Sequence, residues 1–428
     1  MEKETMKPES ASNALRNTNK LRLACIGGGS GLSALLSGIK HYADTNLGDD
    51  NIINLDNLAA IVTVSDDGGS SGRLVEEFDV LPPGDIRRLL FTLSDADELA
   101  GLFEYRFSSN GELGGHTIGN ILLTALTELK GNFPKAIQAA SRFLAVRGRI
   151  IPVTLDYTVL CAELADGEIV RGESTIPKRE NREPIKRVFF ERRENGKTHH
   201  REDGSEIYEC QAHEEAIEAL LNADVIIIGP GSLYTSIMPN LVIKGIVDAI
   251  QRSNAMKIYV CNVMTQPGET DGYAVTDHVD ALLDHAKIKL QYVLVNNQPA
   301  PTEVIQEYVR QELLAQLTRI RSLSEDGLSM LYENKAHPMD VMNLAKHISL
   351  LSAETMLVAD ASKVQVSYNP ERENLKAEGM TVVEADLIRD MVVKEGGVEM
   401  NVIRHAPEKL VCSLVKIMRH HEKLNEPR

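Results

Sequence analysis

No apolar run in this chain of 428 residues approaches the ~20 needed to span a bilayer. Its first twenty residues, MEKETMKPESASNALRNTNK, are polar and mixed in charge and lack the apolar stretch of a signal peptide. A cytoplasmic protein with a disordered, mobile leader over 1–20 is expected. Paired cysteines are missing too. Cys25, Cys161, Cys210, Cys261 and Cys412 are scattered, odd in number and without CxxC spacing. That fits a reducing compartment and excludes a zinc-finger pattern. Excess positive charge is absent: 46 Lys and Arg against 62 Asp and Glu give −16. This argues against broad nucleic-acid binding and against an anionic membrane surface. A local basic pocket for a phosphorylated ligand is still allowed. No G-x-x-x-x-G-K-[ST] P-loop and no G-x-S-x-G nucleophile elbow occur.

What is present starts at residues 21–31, LRLACIGGGSG, followed by LSALLSGIK at helical spacing. An apolar strand, a tight glycine turn and a helix are expected. Glycine lets the backbone turn sharply and approach a ligand closely, and a helix N-terminus favours an anion. Gly29, Gly31 and Ala34 also satisfy G-x-G-x-x-A, the dinucleotide pattern. A bare strand-to-helix turn is the alternative. A second buried strand, LAAIVTVS, ends in Ser65-Asp66-Asp67-Gly68-Gly69-Ser70-Ser71-Gly72-Arg73. In VLPPGDIRRLL, Asp85 is placed as an N-cap or first-turn acid of a helix. Further on, GGHTIGN feeds an apolar helix whose start carries His116, Gly119 and Asn120 on one face.

RGRIIPVTL and TVLCAELADGEIVRGE read as a β-meander, and the highly charged stretch 178–210 as a solvent-exposed hairpin with His199-His200 as surface decoration. Regular alternation then resumes: ADVIIIG, a turn with Pro230, Gly231 and Ser232, a helix, then IYVCNV ending in Asn262, Thr265 and Gln266, and LQYVLVNN. Strands alternating with helices imply an α/β fold, Rossmann-like, with a mostly parallel sheet and helices on both faces. The expected organisation is a tail at 1–20, an α/β domain over 21–300, an added helical segment over 301–370, and a return to the same domain over 371–428.

In an open α/β sheet, ligands bind outside the carboxyl ends of the strands. The strand-end loops at 27–31, 65–73, 229–236 and 262–270 therefore line one cleft if their strands are adjacent. They offer N–H groups, hydroxyls and amides, with Arg73, Arg87 and Arg88 as nearby cations. That inventory suits a pyrophosphate and a sugar. Asp66 and Asp67 are the acids to note: they could hold Mg²⁺, which takes one or two carboxylates plus ligand phosphates, accept sugar hydroxyls, or cap the next turn. A nicotinamide dehydrogenase is disfavoured. Its ribose-binding acid should lie ~20 residues past the glycines, whereas these acids are about 35 residues on and run into a second phosphate-type turn, GGSSG.

Seven segments taken together, IGGGSGLSALLSGIK, IVTVSDDGGSSGRL, PPGDIRRLL, GGHTIGN, IIIGPGSLYTSIMPNL, VCNVMTQPGET and VIRH, resemble the gluconeogenesis-factor family. That family lies within the 2-phospho-L-lactate transferase (CofD-like) superfamily. The resemblance implies a Rossmann-like fold and a cytoplasmic location. Transferase members join a nucleotide-activated phospholactate to a deazaflavin with a divalent metal, which would be Mg²⁺ on Asp66 and Asp67 here. Gluconeogenesis-factor members bind UDP-sugars, notably UDP-N-acetylglucosamine, and influence carbon flow into cell-wall precursors and cell shape, with no cofactor required. GPGSLYTSIMPNL and CNVMTQPGET look closer to this second branch. The resemblance further implies a homodimer and a protein partner in cell-wall precursor synthesis. The strand-end turns themselves place the expected ligand contacts at Gly28, Gly29, Ser30, Gly31, Asp66, Asp67, Gly68, Gly69, Ser70, Arg73, His116, Asn120, Gly231, Ser232, Asn262, Thr265 and Gln266. A family tyrosine maps onto Tyr308, and the arginine of VIRH onto Arg404. The charged residues near 190–205 and those at about 310–365 depart from the compact family pattern.

Overall fold

A computed structural model describes residues 20–46, 48, 51–108, 111–194, 197–198, 208–310, 364–370, 375, 379–395 and 398–425. The expected tail, His199-His200 and most of the added helical segment lie outside the described residues.

β1 (Leu21–Gly27) leads through the glycine turn into α1 (Gly29–Thr45) and on to β2 (Ile53–Val62). Four short helices follow, α2 (Gly69–Phe78), α3 (Gly84–Leu93), α4 (Asp97–Glu104) and α5 (Ile118–Lys130). After α6 (Phe133–Phe143) comes β3 (Arg149–Pro152). A separate sheet holds β4 (Thr158–Leu164), β5 (Ile169–Arg171), β6 (Ile185–Glu194) and β7 (Lys197–Thr198). The main sheet resumes with α7 (Glu214–Asn222) and β8 (Val225–Ile228). A π-helical turn (Leu233–Ile237) then leads to α8 (Met238–Leu241) and α9 (Lys244–Arg252). β9 (Met256–Val260), α10 (Val275–Ala286) and β10 (Tyr292–Asn296) follow. Residues 302–310 are helical. The chain closes with β11 (Thr381–Ala385), the hairpin β12 (Ile388–Glu395) and β13 (Val398–His405), and α11 (Pro407–Asn425).

The main sheet has seven strands in the order β11-β10-β9-β8-β1-β2-β3, and every pairing in it is parallel. The chain builds outward from β1 through β2 to β3, then crosses back past β1 to β8 and builds outward again. The strand order thus reverses between β1 and β8, and the crevice at such a point is where open α/β sheets bind ligands. Both faces of the central strands are covered, which is why they read as unbroken apolar runs. Leu23, Cys25, Val225 and Ile227 pack under one helical layer, and Ala24, Ile26, Ile226 and Ile228 under the other. α1 buries Leu32, Leu35, Leu36 and Ile39, spaced three and four apart. α11 packs against α1.

Three expectations change. β3 is not part of a meander: it pairs in parallel with β2, Ala59 facing Arg149. Ile150 and Ile151 are each buried, one on each side of the sheet, as a parallel strand requires. β2 starts at Ile53, ahead of the LAAIVTVS run read as its strand. The charged stretch 178–210 is not wholly a solvent excursion, because β6 pairs along β4. Its Ile185, Val188, Phe189 and Phe190 are buried, while Lys186 and Arg192 to either side of them are exposed. Charged residues flanking a short apolar centre masked a half-buried strand. Among the described residues no single helix is long and apolar enough to cross a membrane.

Candidate functional site at the β1–β8 crevice

The glycine turns after β1 and β8 face each other across the crevice. Gly29 has φ +61°, a conformation glycine adopts without steric cost. A Cβ on Gly31 would lie 2.7 Å from the Gly231 Cα and collide with the Pro230 carbonyl. The two turns therefore pack backbone on backbone, and only glycine fits between them. Above them opens a cavity of about 500 Å³. Its floor is Gly28, Gly29, Ser30 and Gly31 with Pro230, Gly231 and Ser232. One wall holds Thr63, Ser65, Asp66, Asp85, Arg88 and Glu173; the other holds Asn262, Thr265 and Gln266; Tyr308, Ile403, Arg404 and His405 complete the lining.

Several side chains here are held by local bonds. The Asp85 carboxylate, in the first turn of α3, accepts from the Gly29 N–H at 2.8 Å. Part of the anion-binding capacity of the glycine turn is thus already occupied by a carboxylate. Burial pushes Asp85 up to about 6; the neighbouring Asp66 adds to this, while the Gly29 N–H, Arg88 and Arg87 oppose it. Burial pushes Glu173 up to about 8, reinforced by Asp66, Asp67, Asp85 and Glu269. Gln266 donates to Glu269 at 2.6 Å, and the Thr235 hydroxyl donates to the same carboxylate oxygen at 3.0 Å. Tyr308 accepts from the Ile403 N–H at 3.0 Å, which ties the 302–310 helical stretch to β13 beside Arg404. The Thr265 hydroxyl is turned to the Val364 carbonyl at 3.0 Å, and the Asn262 carbonyl oxygen receives the Gly231 N–H at 3.4 Å.

Of the residues picked from sequence, the cavity brings together Gly28, Gly29, Ser30, Gly31, Asp66, Gly231, Ser232, Asn262, Thr265, Gln266, Tyr308 and Arg404. Asp67, Gly68, Gly69, Ser70, Arg73, His116 and Asn120 do not line it. Asp67 points the other way and accepts from the Ser174 N–H at 2.8 Å. Asp66 accepts from the Gly68 N–H at 3.1 Å. Ser70 bonds His116 Nδ1 at 2.9 Å and receives Asn120 Nδ2 at 3.0 Å, a buried cluster locking the start of α2 to α5. Burial lowers the His116 pKa, with Arg73 and Arg106 adding to the effect. Arg73 donates to the Gly114 carbonyl at 2.6 Å, and Arg87 pairs with Glu104. That leaves Arg88 and Arg404 as the arginines on the cavity wall. Asp85, Arg88, Glu173 and His405 were not selected as site residues. Asp85 and Arg88 carried a signal, sitting just after a Pro-Pro-Gly stop; Glu173 carried none.

The family model described as 2-phospho-L-lactate transferase CofD matches residues 23–336. The chain is 43% identical over 291 residues to the gluconeogenesis factor of Bacillus subtilis, spanning 68% of this chain and 83% of that protein. It is 38% identical over 346 residues to the gluconeogenesis factor of Listeria monocytogenes, spanning 80% and 97%. A crystal structure of a UPF0052-family protein from Bacillus halodurans superposes with TM-score 0.67 at 34% identity, covering 93% of this chain and all of that one, 100%. The chain therefore belongs to the CofD family and, within it, groups with the gluconeogenesis factors.

Proposed function

We propose that this protein binds a UDP-sugar, UDP-N-acetylglucosamine above all, in the β1–β8 crevice. On this reading it acts in the cytoplasm without turnover, directing carbon towards cell-wall precursors and influencing cell shape during gluconeogenic growth. The observation that carries the reading is the cavity itself. Facing glycine turns supply N–H groups at its floor, and Arg88 and Arg404 lie on its wall. Arginine suits phosphate because its donors form a planar fork. The volume falls in the range of small-molecule sites. Among the described residues the Arg404 side chain bonds only to its neighbour's carbonyl, Ile403 O, at 3.2 Å, which leaves further donors for a ligand. A homodimer and a protein partner in precursor synthesis belong to the same proposal. Calorimetry with UDP-N-acetylglucosamine tests it: saturable binding is expected, and no heat at millimolar ligand would sink it. Arg404→Ala should weaken binding by about 1.5–3 kcal/mol if the guanidinium meets phosphate.

A second reading, a transferase acting on a nucleotide-activated substrate, is favoured by one observation. Glu173, on the cavity wall and pushed up to about 8, is poised as a general acid or base near neutral pH. The metal such an enzyme uses does not fit the aspartate pair expected from the sequence, since Asp67 is turned away to Ser174. Among the described residues no three His, Cys, Asp or Glu side chains are grouped to hold an ion. Magnesium would have to rest on Asp66 and ligand phosphates, in line with its preference for few protein ligands. Nucleotide release from an activated phospholactate, dependent on both metal and a deazaflavin acceptor, would establish this reading.

A further inference from the structure

We propose that His405 is a specificity-determining residue of the nucleotide-sugar site: a neutral imidazole that accepts, through Nδ1, a hydrogen bond from an N–H or O–H of the ligand. The inference rests on the UDP-sugar reading and deepens it by naming the chemistry the site requires at one point.

The argument begins with the tautomer. His405 ends β13 and lines the cavity next to Arg404. Its Nε2 lies 3.2 Å from the Cys261 carbonyl oxygen at the end of β9. A carbonyl can only accept, so Nε2 carries the proton. In the neutral ring, Nδ1 is then an acceptor with a free lone pair. The ring is kept neutral by its surroundings: burial lowers its pKa to about 4, with the Arg404 charge acting in the same direction and the Cys261 carbonyl against it. Nδ1 has no protein partner among the described residues. It is also not one of the unpartnered side-chain atoms sealed from solvent. The residue is only 8% exposed, and it lines the cavity. The opening at Nδ1 is therefore the ligand site.

Its neighbours on the same wall offer donors to the ligand. Arg404 carries only N–H groups, and the Tyr308 oxygen already accepts from Ile403, which leaves its proton to give. His405 is the complementary group. A ligand must bring a hydroxyl or an imide N–H to this point. Ribose, uracil and the attached sugar all carry such donors, and one comparison separates nucleoside from sugar.

The test uses the full chain and two substitutions. A Gln side chain reaches the Nε2 position, so His405→Gln keeps the donor to Cys261 and removes the Nδ1 acceptor. An Asn side chain places its carbonyl oxygen near the Nδ1 position. By calorimetry, H405Q should weaken UDP-N-acetylglucosamine binding about 10-fold, and H405N should stay within about 3-fold of wild type. The same loss with UDP places the donor on the nucleoside; a loss confined to the UDP-sugar places it on the sugar. Nitrogen NMR of the wild-type His405 ring gives a reading that needs no variant. Nε2 should be protonated and Nδ1 bare, and Nδ1 should move upfield on saturation. Wild-type binding unchanged in both variants, or a proton found on Nδ1, overturns the role of His405 and leaves the UDP-sugar reading standing. A wild type that binds no UDP-sugar overturns both.

Discussion

Replacing Asp85 by Asn should stabilise the unliganded protein above pH 6. The carboxylate receives the Gly29 N–H at 2.8 Å, and the amide oxygen of the substituted side chain can take the same bond without a charge. Burial and the Asp66 carboxylate hold the wild-type group at about 6, against 3.8 in an unstructured chain. Because the folded state binds this proton more tightly, the stability it contributes is complete below 3.8. That contribution is lost as pH rises through about 6. At 1.36 kcal/mol per pH unit the interval is worth about 3 kcal/mol, and water entering the cavity screens part of it. The expected gain of Asp85→Asn at pH 7 is thus about 1–3 kcal/mol, shrinking towards zero at pH 4. Urea unfolding of both proteins from pH 4 to 8 measures the difference directly; groups away from the cavity cancel between them, while Glu173, which Asp85 helps to raise, shifts in the direction of the same gain. A difference independent of pH, or a variant less stable than wild type at pH 7, would refute the assignment of a strained carboxylate at the glycine turn.

The close approach of the two glycine turns can be probed with Gly31→Ala. Its Cβ must displace the Gly231 backbone, so a loss of about 1–3 kcal/mol in stability is expected, together with weaker ligand binding. Melting temperature and affinity both equal to wild type would show that the turns do not touch. Tyr308→Phe removes the acceptor of the Ile403 N–H and should cost about 1 kcal/mol, read by thermal unfolding; no change means the helix–hairpin tie is absent in solution. An anionic ligand beside Glu173 should raise its pKa further from about 8, so binding takes up protons and weakens as pH rises past 8. Calorimetry in buffers of different ionisation enthalpy at pH 8 measures that uptake, and Glu173→Gln should reduce it; equal uptake in wild type and variant would remove Glu173 from the site.

Much of this was legible along the chain because it is local. Apolar runs such as LACI, VIII and YVLV are periodic signals of strands buried on both faces, and GGGSG and GPGS mark turns wherever they fall. Harder to read were segments whose environment is mixed. IKRVFFERRE carries enough charge to look wholly solvated, yet its apolar centre, Val188 to Phe190, is buried where the strand pairs along β4. RIIP is too short to declare its partner strand.

Residue types and their spacing were enough to establish the alternating α/β architecture, the glycine turns and the chemical character of the crevice. Those features arise from backbone sterics and side-chain periodicity within a few residues. Only the tertiary structure decided which polar groups meet. Asp66 faces the cavity while Asp67, its neighbour, bonds a loop more than a hundred residues away. Arg88 stays on the wall while Arg87 is consumed by Glu104. Ser70, His116 and Asn120 satisfy one another instead of a ligand. Asp85, Glu173 and His405 arrive from separate elements. The side a carboxylate or guanidinium faces depends on the turn that carries it and on partners distant in sequence. Desolvation, which tunes Asp85, Glu173 and His405, exists only once the surrounding chain has closed over them.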